Sequence, residues 1–460
     1  MAKNISWLLS VLFSVMVVAS HAQVNKWRDM HKVKKKETIF GIAQHYGITT
    51  AELMDANPEM KTEGYQLKKG DYIFIPHPST PPAQEATAVK TSSEKSSGSA
   101  AKPDDVRNRA IRLGVLLPLH NENGDGRRML EYYRGLLMAC DSLKQEGISV
   151  DIKAWNTDDK TDVSKILMRE TTHPFDVLVG PLYSKQVTAL SAYSNAYGTK
   201  VLIPFSIEAN QQLSTTPNLY QVYQNTADFN ESVISRYLEK FAGYHTVLID
   251  CNDTTSKKGI FTFGLRKRLD TMGRDYSITN LKSSENLFAK AFSTTQPNVV
   301  ILNTGRSPEL NVAFAKLNNL LAGNPQLKVT LFGYTEWMMY TKYNLDNFYR
   351  YNVYIPAAFY TNPLSSKTAR IEKKYRWNFH ADMMQALPRF AITGFDHGYF
   401  FLKGIHQYGM KFTGAPGTMG YEAIQSPLRF ERVSNEGGWQ NKTLLLVHYT
   451  PEHRVEIEAK

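Results

Sequence analysis

Residues 111–119 read Ile-Arg-Leu-Gly-Val-Leu-Leu-Pro-Leu, an almost unbroken apolar run. A strand this apolar on successive residues belongs in a sheet covered on both faces. The next hundred residues repeat one pattern. Helical spacing over Met129–Lys144 leads to a strand at Val150–Trp155, a helix at Asp162–Thr171 and a strand at Asp176–Val179. A helix at Lys185–Ala196 and a strand at Lys200–Pro204 continue the alternation. Strand–helix alternation marks a parallel, doubly wound sheet. After Asp228 a second series begins. It has helices at Asn230–Phe241, Gly259–Met272, Asn286–Ser293 and Pro308–Ala322, with strands at Thr246–Asp250, Asn298–Asn303 and Lys328–Gly333. Two such units in succession predict two α/β lobes with a cleft between them.

Towards the N-terminus, residues 79–108 are rich in Pro, Ser, Ala and Lys and nearly free of large apolar side chains. Such a stretch cannot offset its ordering entropy by burial, so it reads as a flexible linker. Before it lies a short module, residues 31–78. Lys32-Val33-Lys34 reads as a brief strand. Thr38 can cap a helix carrying Ile39, Ile42, Ala43 and Tyr46, and Gly47 ends it. Thr49 or Thr50 opens a second helix with Leu53, Met54 and Ala56 inward, and Asn57-Pro58 stops it. The alternating Tyr72-Ile73-Phe74-Ile75-Pro76 closes the module as a strand.

The first 22 residues read as a secretory signal. Lys3 is followed by a short apolar run, Ile5–Val18, and by Ser20-His21-Ala22 at the cleavage position. The expected mature chain starts at Gln23 in the periplasm or cell envelope, without a transmembrane segment. Of 460 residues, 42% are hydrophobic and 21% charged, and the net charge is +11. That charge is spread thinly, its densest run being Lys32, Lys34, Lys35 and Lys36, and no nucleic-acid motif accompanies it. No nucleic-acid partner is expected. The two cysteines, Cys140 and Cys251, fall on different lobes and read as free thiols.

The stretch HKVKKKETIFGIAQHYGITTAELMDANPEM, completed by LKKGDYIFIP, resembles the LysM family over the whole short module. That resemblance implies binding of the N-acetylglucosamine-containing glycan of peptidoglycan or chitin. It places the groove at Glu37, Thr38, Ile39, Phe40, Asn57, Pro58 and Met60. Lys36 departs from the family, which usually has Gly before Glu-Thr.

The larger part, residues 109–460, resembles the type I periplasmic binding proteins, the fold of amino-acid receptors of ABC transporters. The matching motifs are Ile111–Leu119, Val179-Gly180-Pro181-Leu182-Tyr183-Ser184, Ile203-Pro204-Phe205-Ser206, Tyr220–Asn225 and Ala391–Asp396. The resemblance implies three crossings between lobes, near 226–230, 357–362 and 412–420. The first lobe would span about 109–226 and 358–412, and the second about 227–357 and 413–460. The final stretches Leu428–Val433 and Thr443–Tyr449 are expected to form a hairpin-like ending. By the same resemblance the cleft would grip a ligand through Tyr183, Ser184 and Ser206, with Asp228 and Glu336 contributing. Lys185, Ile207 and Glu208 depart from the family's small-residue pattern and weaken the case for a free amino acid.

No catalytic motif stands out, and no metal or cofactor is called for. Asn121–Gly126 is oxygen-rich but lacks the later bidentate Glu of a calcium loop. Asp158-Asp159 and Asp250–Asp253 follow strands, where ligands bind in such sheets, and also suit helix N-termini. The sequence therefore reads as an exported, non-enzymatic peptidoglycan-binding protein. Its two-lobed domain either senses a small amino-acid-like or muropeptide ligand or docks a wall-synthesis partner in regulating wall assembly. The alternative is the substrate-binding receptor of an amino-acid or peptide ABC transporter.

Overall fold

A computed structural model describes residues 27–34, 37–61, 67, 69, 72–76, 105–206, 208–415, 417 and 420–459. Residues 1–22, read as a secretory signal, together with Lys36, Ile207 and most of the segment read as linker, fall outside the described residues. The chain forms two compact units, divided near residue 100.

In the small unit, strand β1 (Trp27–Lys32) pairs antiparallel with β2 (Tyr72–Pro76). Between them run helices α1 (Ile39–Tyr46) and α2 (Thr50–Ala56). The first strand lies earlier than Lys32–Lys34, because Val33 leaves the ladder and buries itself in the core beside Ile42, Leu53, Ile73 and Ile75. Thr38 accepts the Gly41 amide at 3.0 Å to start α1. Gly47 ends it at φ 67°, a left-handed conformation that glycine adopts without strain. Thr49 and Glu52 form a capping box on α2.

The large unit holds two seven-stranded sheets. The first is built from β3 (Ile111–Leu117), β4 (Val150–Asn156), β5 (Val177–Val179), β6 (Lys200–Ile203), β7 (Leu219–Gln221), β13 (Phe430–Arg432) and β14 (Trp439–Asn441), in the order β13-β14-β7-β6-β5-β3-β4. Its helices are α3 (Gly124–Gln145), α4 (Val163–Leu167), α5 (Val187–Tyr197), α6 (Asn210–Leu213), α12 (Ser366–Phe379) and α13 (Phe390–Tyr408). The second is built from β8 (His245–Asp250), β9 (Tyr276–Asn280), β10 (Asn298–Leu302), β11 (Val329–Phe332), β12 (Tyr354–Ala357), β15 (Leu445–Tyr449) and β16 (Val455–Ala459), in the order β16-β15-β12-β11-β10-β8-β9. Helices α7 (Thr226–Lys240), α8 (Gly259–Thr271), α9 (Glu285–Ala289), α10 (Ser307–Gly323) and α11 (Thr341–Arg350) belong to that lobe. The central strands β3, β5, β6 and β10 are buried along nearly their whole length, as the apolar runs require.

Three features depart from the sequence expectation. First, Val106 is buried in the first-lobe core and Asp105 caps the 3-10 turn Val106–Asn108, so the ordered unit begins inside the segment read as linker. Second, the chain stays with the first lobe far beyond residue 412. β14 adds to that sheet by pairing parallel with β7 and antiparallel with β13. The passage to the second sheet comes after Asn441, because β15 pairs with β12. Third, the ending is two separate hairpins, β13–β14 and β15–β16, in different sheets. Leu428–Val433 and Thr443–Tyr449 are therefore not partners.

Helices α3 and α13 pack backbone to backbone. A Cβ on Gly135 would lie 1.8 Å from the Ala391 carbonyl oxygen, and one on Gly394 would lie 2.0 Å from that of Tyr132. Only glycine permits this approach. Within α13, Asp396 is fully buried and accepts the Tyr421 hydroxyl at 2.6 Å and the amides of Ile424, Gln425 and Ser426 at 2.8–2.9 Å. One side chain thus pins the loop that leads into β13.

Candidate functional sites

The glycan-site candidates divide sharply by exposure. Glu37 bridges the loop after β1 to the strand itself: its carboxylate accepts His31 Nε2 and the Lys34 amide, each at 2.7 Å. The Lys34 amide and then His31 hold its carboxyl below the usual range. His31 also reaches the Tyr46 hydroxyl at 3.0 Å, tying β1 to α1. Thr38 is exposed but engaged as the α1 cap. Ile39 is half-buried against the core, while Phe40 stands 68% exposed in the first turn of α1. Pro58 opens the 3-10 turn Pro58–Lys61.

Two candidates are not surface groups. Met60 is buried in the module core. Asn57 is fully buried, and its amide is spent on the fold. Its Nδ2 donates to the carbonyls of Leu53 at 2.8 Å and Phe74 at 2.7 Å, and its Oδ1 accepts the Phe74 amide at 2.7 Å. Asn57 thus clamps the end of α2 to β2, so a direct contact with sugar is corrected to a structural role. The clamp fixes Phe74, which is 41% exposed on β2. Strict alternation in Tyr72–Pro76, with Ile73 and Ile75 buried, is the signal that places Phe74 outward.

In the large unit, Ser184 and Ser206 meet: their hydroxyls are 3.0 Å apart. They follow β5 and β6 at the carboxyl ends of the strands. Gly180 permits the sharp departure from β5 at φ 124°, where a Cβ would lie 2.3 Å from the Leu116 carbonyl oxygen. Tyr183, on the same wall, joins His120, Asn156, Asp158 and Asp159 around a polar cavity of about 310 Å³. Partial burial, then Asp125, Asp159 and Asp158, push its phenol up from the ordinary value. Lys185 reaches Asp159 at 3.5 Å.

Asp228 and Glu336 belong to second-lobe segments. Asp228 is exposed in the first turn of α7, and its carboxylate accepts the Asn225 side-chain amide at 2.9 Å. Glu336 accepts Lys258 Nζ at 2.7 Å. The remaining acidic motifs are turn-builders. Asp158 accepts the Lys160 amide, and Asp253 accepts the Thr255 amide and the Thr304 hydroxyl. Asn123 of the oxygen-rich loop caps α3 through the Gly126 amide. Cys140 and Cys251 are free, and burial pushes each thiol up to about 12. Among the described residues no helix is long and apolar enough to cross a membrane.

A model of the LysM domain matches residues 31–76. No curated protein matches the chain in sequence. Among solved structures, a putative branched-chain amino acid ABC transporter protein from Rhodospirillum rubrum is similar over 76% of this chain and 100% of its own, at 14% identity and a TM-score of 0.53. LpoA from Haemophilus influenzae aligns over 77% of this chain and 60% of its own, at 15% identity and a TM-score of 0.49. The first of these likenesses is one of fold alone. The chain thus joins a segment matching the LysM domain, residues 31–76, to a larger unit with the two-lobed fold of the type I periplasmic binding proteins.

Proposed function

We propose that this is an exported protein held to peptidoglycan by its small unit, with the two-lobed unit acting in binding rather than catalysis. The LysM match at residues 31–76 carries this reading. The exposed ring of Phe40, beside the capped first turn of α1, supports it, since a glycan N-acetyl methyl needs an apolar floor and a few placed polar groups. Within the large unit, the reading is of a sensor for a small wall-derived ligand or a docking platform for a wall-synthesis partner. Four of the groups expected to grip a free amino acid engage protein partners instead: Ser184 with Ser206, Asp228 with Asn225, Glu336 with Lys258. That arrangement disfavours a transporter receptor for free amino acids.

The test is a pull-down of the full chain on insoluble peptidoglycan, with soluble N-acetylglucosamine oligomers as competitor. Retention at physiological salt and release by the oligomers are expected. Retention lost at physiological ionic strength would mean that the basic run alone attracts the wall.

A further inference from the structure

Four strands lie at the edges of the two large sheets: β4 and β13 in the first, β9 and β16 in the second. An open edge presents unpaired backbone groups to other chains, and charged side chains are a common guard against such pairing. β4 carries Asp151 and Lys153, β13 carries Glu431 and Arg432, and β16 carries Glu456 and Glu458. β9, Tyr-Ser-Ile-Thr-Asn, carries no charged residue. Its Ile278 is 55% exposed.

The phase of β9 decides which groups it offers. The Leu281 amide donates to the Asp250 carbonyl of β8 at 3.1 Å. In a parallel ladder, alternate residues point both backbone groups to the same side. Ser277 and Thr279 therefore turn theirs to β8, while Tyr276 and Ile278 turn theirs to the open edge. Helix α8 sets an apolar side chain beside that edge. It joins the parallel neighbours β8 and β9, so it runs against them. The Arg266 guanidinium lies 5.7 Å from the centre of the Tyr276 ring, and Ile278 shares that face of the strand. One helical turn back from Arg266, about 5.4 Å, nearly matches two residues onward along β9, about 6.6 Å. Phe263, 69% exposed, thus comes to the level of Ile278.

We infer that β9 is the docking edge for a second copy of this chain, paired antiparallel about a two-fold axis at Ile278. Ile278 of each copy exchanges backbone hydrogen bonds with Ile278 of the other, and Tyr276 meets Asn280 of the other copy. The axis stands perpendicular to the sheet, so both α8 helices lie on one face and the two Phe263 rings cover the joint. The strand ends are complementary in charge. Asp275 just before β9 and Lys282 just after it are exposed and form no ion pair among the described residues. Arg274 is turned to its own lobe, donating to the Leu238 carbonyl at 3.1 Å. Antiparallel pairing sets each Asp275 at the same end of the joint as the other copy's Lys282. The inference does not depend on the wall-binding reading.

Sedimentation equilibrium of the full chain, from low micromolar to near-millimolar concentration, tests it. A monomer–dimer equilibrium is expected. Ile278→Lys sets like charges face to face at the axis and raises the dimer dissociation constant at least about tenfold. The position is exposed, so the variant keeps a cooperative melt. Ile457→Lys, on the guarded edge β16, leaves dimerisation unchanged. A second pair of variants reads the register. Hydrogen-bonded antiparallel partners lie about 5.5 Å apart at Cα, within disulfide reach. Ile278→Cys is therefore expected to give a disulfide-linked dimer under mild oxidation, and Ile457→Cys is not. A full chain that stays monomeric throughout would overturn the inference, whether or not the edge takes up an extended segment of another protein. So would a dimer that Ile278→Lys leaves intact, or a dimer that Ile278→Cys fails to link.

Discussion

Acid should destabilise the first lobe through one residue, His397. It lies on α13, fully buried, and one ring nitrogen meets the Tyr132 hydroxyl of α3 at 3.0 Å. Its Nε2 has no partner among the described residues. Burial lowers its pKa from 6.5 to about 3. The folded protein therefore keeps the ring neutral, whereas the unfolded chain takes up a proton once the pH falls below 6.5. Stability from this group is complete above that value and is lost as the pH falls towards 3. The loss runs at about 1.4 kcal/mol per pH unit, or about 2 kcal/mol by pH 5. His448 is also lowered by burial and contributes in the same direction, so the comparison must be with a variant. His397→Asn retains an acceptor for Tyr132 and cannot titrate. Its smaller side chain costs about 1–2 kcal/mol near neutrality. Urea unfolding at pH 7.5, 6 and 5, followed through Trp155 and Trp439 of the same lobe, gives the gap between wild type and variant. That gap should shrink by about 2 kcal/mol between pH 7.5 and 5. A gap that stays constant would refute the reasoning, because the ring would then exchange protons as freely in the folded lobe as in the unfolded chain.

Phe40→Ala should release the full chain from insoluble peptidoglycan while leaving the circular dichroism of the small unit unchanged. Asn57→Ala should destabilise that unit by about 2–3 kcal/mol, since it strands backbone groups of Leu53 and Phe74; thermal melting of residues 24–80 measures this, and an unchanged melt would disprove the clamp. Gly394→Ala should abolish native packing of α3 against α13, because its Cβ would lie 2.0 Å from the Tyr132 carbonyl oxygen; expression as soluble, cooperatively melting protein would contradict that. Asp396→Asn puts an amide donor against backbone donors and should cost about 3 kcal/mol or more in urea unfolding.

Local signals serve well wherever the physics is local. Thr38 and Gly47 mark the ends of α1, because a cap needs only a hydroxyl and a left-handed residue a few positions apart. The apolar runs at 111–117 and 298–302 identify strands covered on both faces. Other features have no local signal. β9 (Tyr276–Asn280) escapes a reading by periodicity because its residues are mixed polar and apolar at the sheet's edge. The resemblance to the LysM family places Asn57 in the sugar groove, and its local sequence shows only a helix stop before Pro58. Its true partner, Phe74, lies 17 residues away. Ser184 and Ser206 each stand out in their own loops, but that their hydroxyls meet depends on β5 and β6 being neighbours in the sheet.

By itself, then, the sequence determined the small strand–helix–helix–strand module, the doubly wound character of the larger part and the loops that succeed its strands. Each rests on periodicity, capping and glycine placement over a few residues. Tertiary structure alone decided that β14 returns to β7 across more than two hundred residues, that Asn57 faces inward, and that the rings of Phe261 and Tyr334 meet edge to face. Those outcomes turn on which distant surfaces exclude water together. A local hydrophobic pattern fixes which face of an element is buried, but not the partner that covers it.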